Sequence, residues 1–277
     1  MAKIIAIANS KGGVGKTTTT VALATVAAQQ GLRVCVIDLD QQQNTTFLSR
    51  GRYEVETQTA YSLFTAEPVS PSFLIRPTEW GYDLVPAGAQ LGAAEHVLAS
   101  LPFGDLQLRK LFRRDTQLTG YDLVFIDTSA NKTKILNAAL MAADCLIVPI
   151  TPSTLAVQDL AAFIPLVEMV NSNRRDINDA PLQVLGVVFT RVTKSRAVER
   201  FIMEDVAQQL KQLPHFPISS ITIPDNTSLE NANAQIAPVN VVEPKSKVAA
   251  AYRELFLSFF GEMVRDSVSK QAEGAIA

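Results

Sequence analysis

Lys11-Gly12-Gly13-Val14-Gly15-Lys16-Thr17-Thr18 follows an apolar run and precedes an alanine-rich stretch that reads as a helix. Glycines in such a loop let backbone N–H groups close around an anion, and Lys16 is placed to reach the β- and γ-phosphates of a nucleotide. The Thr17 hydroxyl suits Mg²⁺, and the positive end of the following helix favours the bound anion. The fit to the phosphate-loop pattern G-x-x-x-x-G-K-[ST] is loose at its start: Ser10 stands at the first position, with a second lysine, Lys11, beside it. Three carboxylates end apolar runs elsewhere, Asp38 and Asp40 after Val34-Cys-Val-Ile, and Asp127 after Leu123-Val-Phe-Ile. A carboxylate at such a position can hold Mg²⁺ through water or polarise an attacking water.

The elements that must position these groups alternate. Residues 3–8, 33–38, 82–86, 121–127, 144–150 and 182–190 read as strands, with 219–223 as a candidate last one. Residues 17–30, 134–143, 154–171, 197–212 and 247–267 read as helices. Near-continuous apolar strands separated by helices predict an α/β fold, a mostly parallel sheet with helices on both faces. Right-handed crossovers then bring the strand C-termini, and the loops that follow them, to one edge. The chain is expected to be a single domain over residues 1–277, with a peripheral insertion at about 50–80 holding a helix around 60–65, and a frayed tail from about 268.

Composition sets bounds. The 277 residues are 47 % hydrophobic and 19 % charged, with a net charge of −2, which describes a globular protein and excludes a polycation. Cys35 and Cys145 lie inside apolar runs and are expected as buried free thiols, which fits a cytoplasmic address. His96 and His215 have no companions at ligand spacing, so no zinc site is expected. The N-terminus enters a strand at once, without the layout of a signal peptide, and no apolar run is long enough to span a bilayer.

With the loop, Asp38-Leu-Asp40 and Ile126-Asp127-Thr128 in view, the chain resembles the ParA/MinD family of deviant Walker ATPases, its ParA branch most closely. The resemblance extends over most of the chain and includes residues 137–149, Glu243-Pro-Lys-Ser-Lys247 and Ala251-Tyr-Arg-Glu-Leu255. It implies a P-loop ATPase using ATP and Mg²⁺, with the nucleotide held by residues 11–18. Lys11 would cross a dimer interface to the partner's nucleotide, and Lys16 would bind the β/γ-phosphates. Thr17, Asp38 and Asp127 would serve the metal, Thr18 the α-phosphate, and Asp40 hydrolysis. Pro224, Asp225 and Asn226 would touch the adenine. Two segments depart from the family. Asp40-Gln41-Gln42-Gln43-Asn44 stands where Asp-Pro-Gln-Gly-Asn is common, and Asp127-Thr128-Ser129-Ala130 where Asp-Thr-Pro-Pro is common. Loss of Pro and Gly changes backbone restriction in both nucleotide-sensing segments.

The ParA branch further implies an ATP-sandwiched homodimer that binds DNA without sequence preference and is released by a ParB-like or other cargo adaptor, hence a nucleoid-associated protein. Three basic clusters are candidates for DNA contact: Arg109, Lys110, Arg113 and Arg114; Arg191, Lys194, Arg196 and Arg200; and Lys245 with Lys247. Asp225 occupies a position where ParA members often carry an arginine that contributes to DNA contact. MinD-like membrane cycling is the main rival, followed by a non-hydrolysing dimerisation switch. The stripe Tyr252, Leu255, Phe256, Phe259, Phe260 and Met263 is expected to pack in the core, because acids offset Arg253 and Arg265 on the polar face.

Overall fold

The computed structural model describes residues 2–54, 58–131, 133–193 and 195–274, with side chains described as far as residue 267. The apolar runs form strands β1 (Lys3–Ile7), β2 (Val34–Leu39), β3 (Arg76–Pro77), β4 (Asp83–Val85), β5 (Leu123–Thr128), β6 (Cys145–Ile150) and β7 (Gln183–Phe189). They make one sheet in the order β3-β4-β2-β5-β1-β6-β7, parallel except for the short edge strand β3. Parallel neighbours need crossovers, and helices supply them: α1 (Lys16–Gln29), α2 (Asn44–Arg50), α3 (Ala94–Ser100), α4 (Gln107–Arg114), α5 (Lys134–Ala142), α6 (Ala156–Asp176) and α7 (Ala197–Leu210). Three more, α8 (Thr227–Ala234), α9 (Val239–Val242) and α10 (Lys247–Gly274), complete the chain.

The two-residue period of each strand sorts its side chains between layers. Val34 and Val36 join Ile5, Ile7 and Phe125 in a core under α1 and α10. Cys35, Ile37 and Leu39 turn the other way, toward Phe112 and Ala139 of α4 and α5. The second half of that face is closed by α6 and α7 through Phe163, Val167 and Val206. Cys35 and Cys145 are buried free thiols, as their placement in strands predicts.

Helix α1 is buried almost all round, held between the sheet and α10, and its alanines permit the close approach. The stripe on α10 is core: Tyr252, Leu255, Phe256 and Phe260 are each at most 1 % exposed, and Phe260 meets Phe125 edge-on. No helix among the described residues is long and apolar enough to cross a membrane.

Three expectations change. Residues 60–64, placed in a peripheral insertion, form a 3₁₀ turn whose Ala60, Leu63 and Phe64 are fully buried against β2 and β4 neighbours, so this stretch completes the core. Residues 219–223 form no strand: the flanking Ile218 and Pro224 make isolated parallel bridges to Val187 and Val192, and between them the backbone bonds to β7 only at Ser219 and Ile223. Helix α10 continues to Gly274, beyond residue 267, and residues 275–277 lie outside the described residues.

Candidate nucleotide site

β1 lies at the centre of the sheet, so the loop that leaves it emerges between β5 and β6. Asn9, fully buried, fixes that exit: its Nδ2 donates to the Pro149 carbonyl at 2.8 Å, and its Oδ1 accepts from the Lys11 N–H at 3.1 Å. Gly13 and Gly15 both hold positive φ, 73° and 83°, a conformation that a side chain would strain. Gly15 is the residue before α1, and no side chain caps the helix. The first N–H groups of α1 therefore point into the loop, where an anion can accept from them. Thr190 closes the far side, its hydroxyl donating to the Val14 carbonyl at 2.8 Å.

Lys16 is 7 % exposed, and its Nζ donates to the Lys11 carbonyl across the loop mouth at 2.8 Å. Burial lowers its pKa, while the charges of Asp127 and Asp40 oppose that shift. Lys11 points elsewhere. Its Nζ reaches Asp159 Oδ2 on α6 at 2.6 Å and the Ser153 hydroxyl at 3.1 Å.

Asp38 and Asp127 are register partners on adjacent strands β2 and β5, both fully buried. They share the face that carries α1. Asp127 Oδ2 accepts from the Thr17 hydroxyl at 2.8 Å and the Thr45 hydroxyl at 2.7 Å. Asp38 Oδ2 accepts from the Thr46 hydroxyl at 2.6 Å and the Thr46 N–H at 2.8 Å, and its Oδ1 accepts from the Asp40 N–H at 3.0 Å. Burial raises the Asp38 pKa well above the ordinary carboxylate range, and the neighbouring Asp127 raises it further. Burial also raises that of Asp127, against the hydrogen bonds from Thr45 and Thr17. The donors at Thr17 and Asp127 are all oxygen, and a cation there would favour the charged form that burial disfavours. Both features fit a hard cation such as Mg²⁺.

These raised pKa values carry a stability consequence. Between the ordinary aspartate value of about 4 and the raised ones, the folded protein binds more protons than the unfolded chain. The stabilising contribution is complete below about pH 4 and is lost as pH rises through the raised values, by up to about 1.4 kcal/mol per pH unit for one proton. In metal-free buffer the melting temperature is expected to fall from pH 5 to pH 8, and Asp38→Asn is expected to flatten that fall. Equal slopes for the two proteins in thermal scans would refute the assignment.

Asp40 follows β2, is half-buried, and turns back on itself, its Oδ1 accepting from the Gln42 N–H at 2.9 Å. It lines a cleft of about 530 Å³ together with the loop glycines, Lys16, Thr17 and Thr18. Asp225 and Asn226 line the far end of the same cleft. Asn226 Oδ1 caps α8, accepting from the Ser228 N–H at 2.9 Å. Pro224 faces an adjoining surface cleft with Lys247 and Glu254. Of the sequence-predicted nucleotide residues, Gly12, Gly13, Gly15, Lys16, Thr17, Thr18, Asp225 and Asn226 line one cleft and Lys11 and Pro224 do not, while Asn9, Thr45, Thr46, Asp159 and Thr190 bond to predicted site residues or to the loop. None of these five belongs to the motifs read from the sequence; Asn9, Thr45, Asp159 and Thr190 reach partners distant in sequence, while Thr46 bonds Asp38 eight residues before it.

The basic clusters divide. Arg109 is a correction: it is 7 % exposed, ion-paired with Asp179, and its Nη1 donates to the Met141 carbonyl at 3.0 Å. It shares the inner face of α4 with Leu108 and Phe112, so it faces the core and cannot meet a DNA phosphate. Arg113 is exposed but also pairs with Asp179, at 2.8 Å, while Lys110 and Arg114 are exposed. This cluster borders Ala2, Ile4 and Asp144, at the strand N-termini, the edge opposite the loop. Arg191, Arg196, Arg200, Lys245 and Lys247 are exposed, and Arg191 and Lys247 flank the Asp225–Asn226 turn. Lys194 lies outside the described residues.

A phosphate loop at the centre of a parallel sheet, with acids at the neighbouring strand ends, defines a P-loop nucleotide-binding fold of the deviant Walker type. Residues 2–180 match the family AAA_31, described as an AAA domain. The chromosome-partitioning ATPase Soj of Thermus thermophilus is 33 % identical over 253 residues, 91 % of this chain and 92 % of that protein. The chain belongs to this family, within its ParA/MinD group of ATPases. Among solved structures, cobyrinic acid a,c-diamide synthase from Mycobacterium smegmatis, with a bound ATP analog and magnesium, gives a TM-score of 0.75 at 27 % identity, covering 92 % of this chain and 93 % of that one. Apo McdA of Cyanothece shares the fold, with a TM-score of 0.79 at 23 % identity over 93 % of this chain and 100 % of that one.

Proposed function

We propose that this protein is a ParA-like positioning ATPase. It binds ATP and Mg²⁺, dimerises around the nucleotide, holds duplex DNA without sequence preference, and hydrolyses ATP slowly under the control of a cargo adaptor. The observation that carries the reading is the division of labour between two lysines at one loop mouth. Lys16 is buried beside the strand-end carboxylates, whereas Lys11 is turned sideways onto α6. A second cation that does not serve its own loop is available to the nucleotide of a second copy.

In the reaction water attacks the γ-phosphorus in line, the bond to the β-phosphate oxygen breaks, and ADP and phosphate leave. Lys16 stays on the β/γ-oxygens as charge develops there, joined by Lys11 of the partner subunit. Thr17 and Asp127 would hold Mg²⁺, which would supply neutralisation of phosphate charge. Asp40, at the cleft wall, orients the water, and Asp38 fixes the backbone of Asp40 through its N–H. Nucleoid association follows from the DNA contact, and the cytoplasm is the proposed address. Plasmid, chromosome region and protein organelle all suit such a cycle as cargo.

Rival readings are less well supported. A membrane-cycling protein needs a free amphipathic helix, and the stripe on α10 is spent in the core. Glutamine-dependent amidation needs a nucleophilic thiol, and burial pushes both Cys35 and Cys145 upward, which disfavours the thiolate.

The test is binding to non-specific duplex DNA with ATP, ADP or no nucleotide, for the wild type and Lys11→Ala. ATP-only binding is expected, carried by Arg191, Arg196, Arg200, Lys245 and Lys247 from both subunits. If six to ten phosphates are contacted, affinity falls roughly 10³- to 10⁵-fold between 50 and 200 mM salt. Lys11→Ala is expected to retain ATP yet lose both dimer and DNA; a dimer surviving in light scattering would remove Lys11 from this role. Wild-type protein that ignores DNA in every nucleotide state would overturn the DNA-tethered cycle.

A further inference from the structure

Gln43 holds a backbone conformation that glutamine disfavours, φ 56° and ψ 26°, immediately before α2. Left-handed backbone in a non-glycine residue persists where its surroundings over-determine it, and it concentrates at functional segments. Here the surroundings are explicit. Gln43 is 6 % exposed, and its side-chain Oε1 accepts from the Glu54 N–H at 2.8 Å. Its own N–H donates to the Asp40 carbonyl at 2.8 Å, and its carbonyl accepts from the Phe47 N–H at 2.8 Å. Glu54 is itself anchored, its carboxylate 2.8 Å from Arg50 Nε. Tyr53 stacks on Phe47 with ring centroids 4.6 Å apart. One buried amide therefore links the turn bearing Asp40 to the loop that leaves α2.

The link matters because of what lies on either side of residue 43. Asp40 stands three residues before it, at the cleft wall. Thr45 and Thr46 stand two and three residues after it and hold Asp127 and Asp38. Glycine would adopt this φ freely and leave the turn loose. Glutamine at the same φ is fixed by the hydrogen bond that its side chain makes.

We propose that Gln43 is a positioning residue for hydrolysis: its amide ties the Asp40 turn to Glu54 and so presets Asp40 against the phosphate end of the cleft. Gln43 touches neither nucleotide nor water in this role, which rests on the reading of the site as an ATPase. Small misplacements of a catalytic group lower rate without weakening binding. The tether thus acts on kcat and leaves ATP affinity alone.

The test uses the full-length chain with three substitutions. Gln43→Met keeps length and loses the acceptor, Gln43→Gly relieves the backbone and loses it too, and Gln43→Glu keeps an acceptor oxygen. Hydrogen exchange at the Glu54 amide reads the tether without nucleotide. Exchange is expected to quicken by at least about tenfold in the Met and Gly variants. Single-turnover hydrolysis is expected to drop about tenfold in those two, with the ATP Kd within about twofold of wild type and most of the rate retained by Gln43→Glu. Unchanged exchange in Gln43→Met would overturn the tether. Faster exchange with an unchanged rate would overturn its role in hydrolysis. Wild-type protein that binds ATP and never turns it over, with the exchange result intact, would overturn the ATPase reading and the positioning role with it, while leaving the tether established.

Discussion

Lys16→Ala is expected to weaken ATP binding at least about 100-fold, as read by calorimetry, while barely altering the fold. A charge-assisted bond from a desolvated ammonium to phosphate contributes up to about 3 kcal/mol, and 1.4 kcal/mol is tenfold in affinity. Lys16 meets those conditions: it is 7 % exposed, at the uncapped start of α1, and faces the buried Asp127. The stability side separates cleanly. The protein hydrogen bond recorded for its Nζ is to the Lys11 carbonyl, and burial of the ammonium is itself unfavourable, which its lowered pKa reports. Truncation removes one bond and one desolvated charge together, so the melting temperature of the nucleotide-free protein stays near that of wild type. ATP affinity within about tenfold of wild type would mean that phosphate is held elsewhere.

Asp179→Ala is expected to produce the largest loss of stability, about 3–5 kcal/mol, at a site remote from the nucleotide. Asp179 sits among three guanidiniums: Arg109, Arg113 at 2.8 Å and Arg174 at 3.8 Å. Arg174 is 1 % exposed, with its Nη1 on the Ala143 carbonyl at 2.6 Å. Arg113 is exposed and contributes little. Removing the carboxylate strands two buried cations, and that penalty is a large share of the 5–15 kcal/mol that typically separates folded from unfolded. Thermal unfolding would fall by roughly 10 °C for a chain of this size. Replacing Arg109, Arg174 and Asp179 together with apolar residues of similar volume is expected to recover most of it, because no buried cation of the cluster is then left unpaired and Arg113 stays in water. A loss under about 1 kcal/mol in Asp179→Ala would show that water reaches the cluster and screens it.

How far these sites could be read in advance depended on how local their physics is. Gly13, Gly15, Lys16 and Thr17 act within one turn of chain, where backbone freedom, helix polarity and side-chain reach are set by neighbours, so the loop was legible. Asp38 and Asp127 were legible as strand ends because apolar runs separated by helices imply a parallel sheet. The helix of four cations was misread at Arg109. A basic helix reads as a solvated face, and the acid that turns this one inward, Asp179, lies 66 residues beyond Arg113. The stretch 60–64 reads as a short helix in an insertion, and its helical turn is there, but that Ala60, Leu63 and Phe64 pack into the core beside β2 is set by contacts distant in sequence.

The sequence by itself determined the phosphate loop, the sheet type, and the edge at which the acids gather, since each follows from short-range spacing and the handedness of crossovers. Only the tertiary structure decided which strands are neighbours. That choice made Asp38 and Asp127 register partners and brought Thr45 to Asp127 across 82 residues and Lys11 to Asp159 across 148. Strand order and side-chain pairing across it are set by how whole layers pack, a property of the assembled core that no local segment carries.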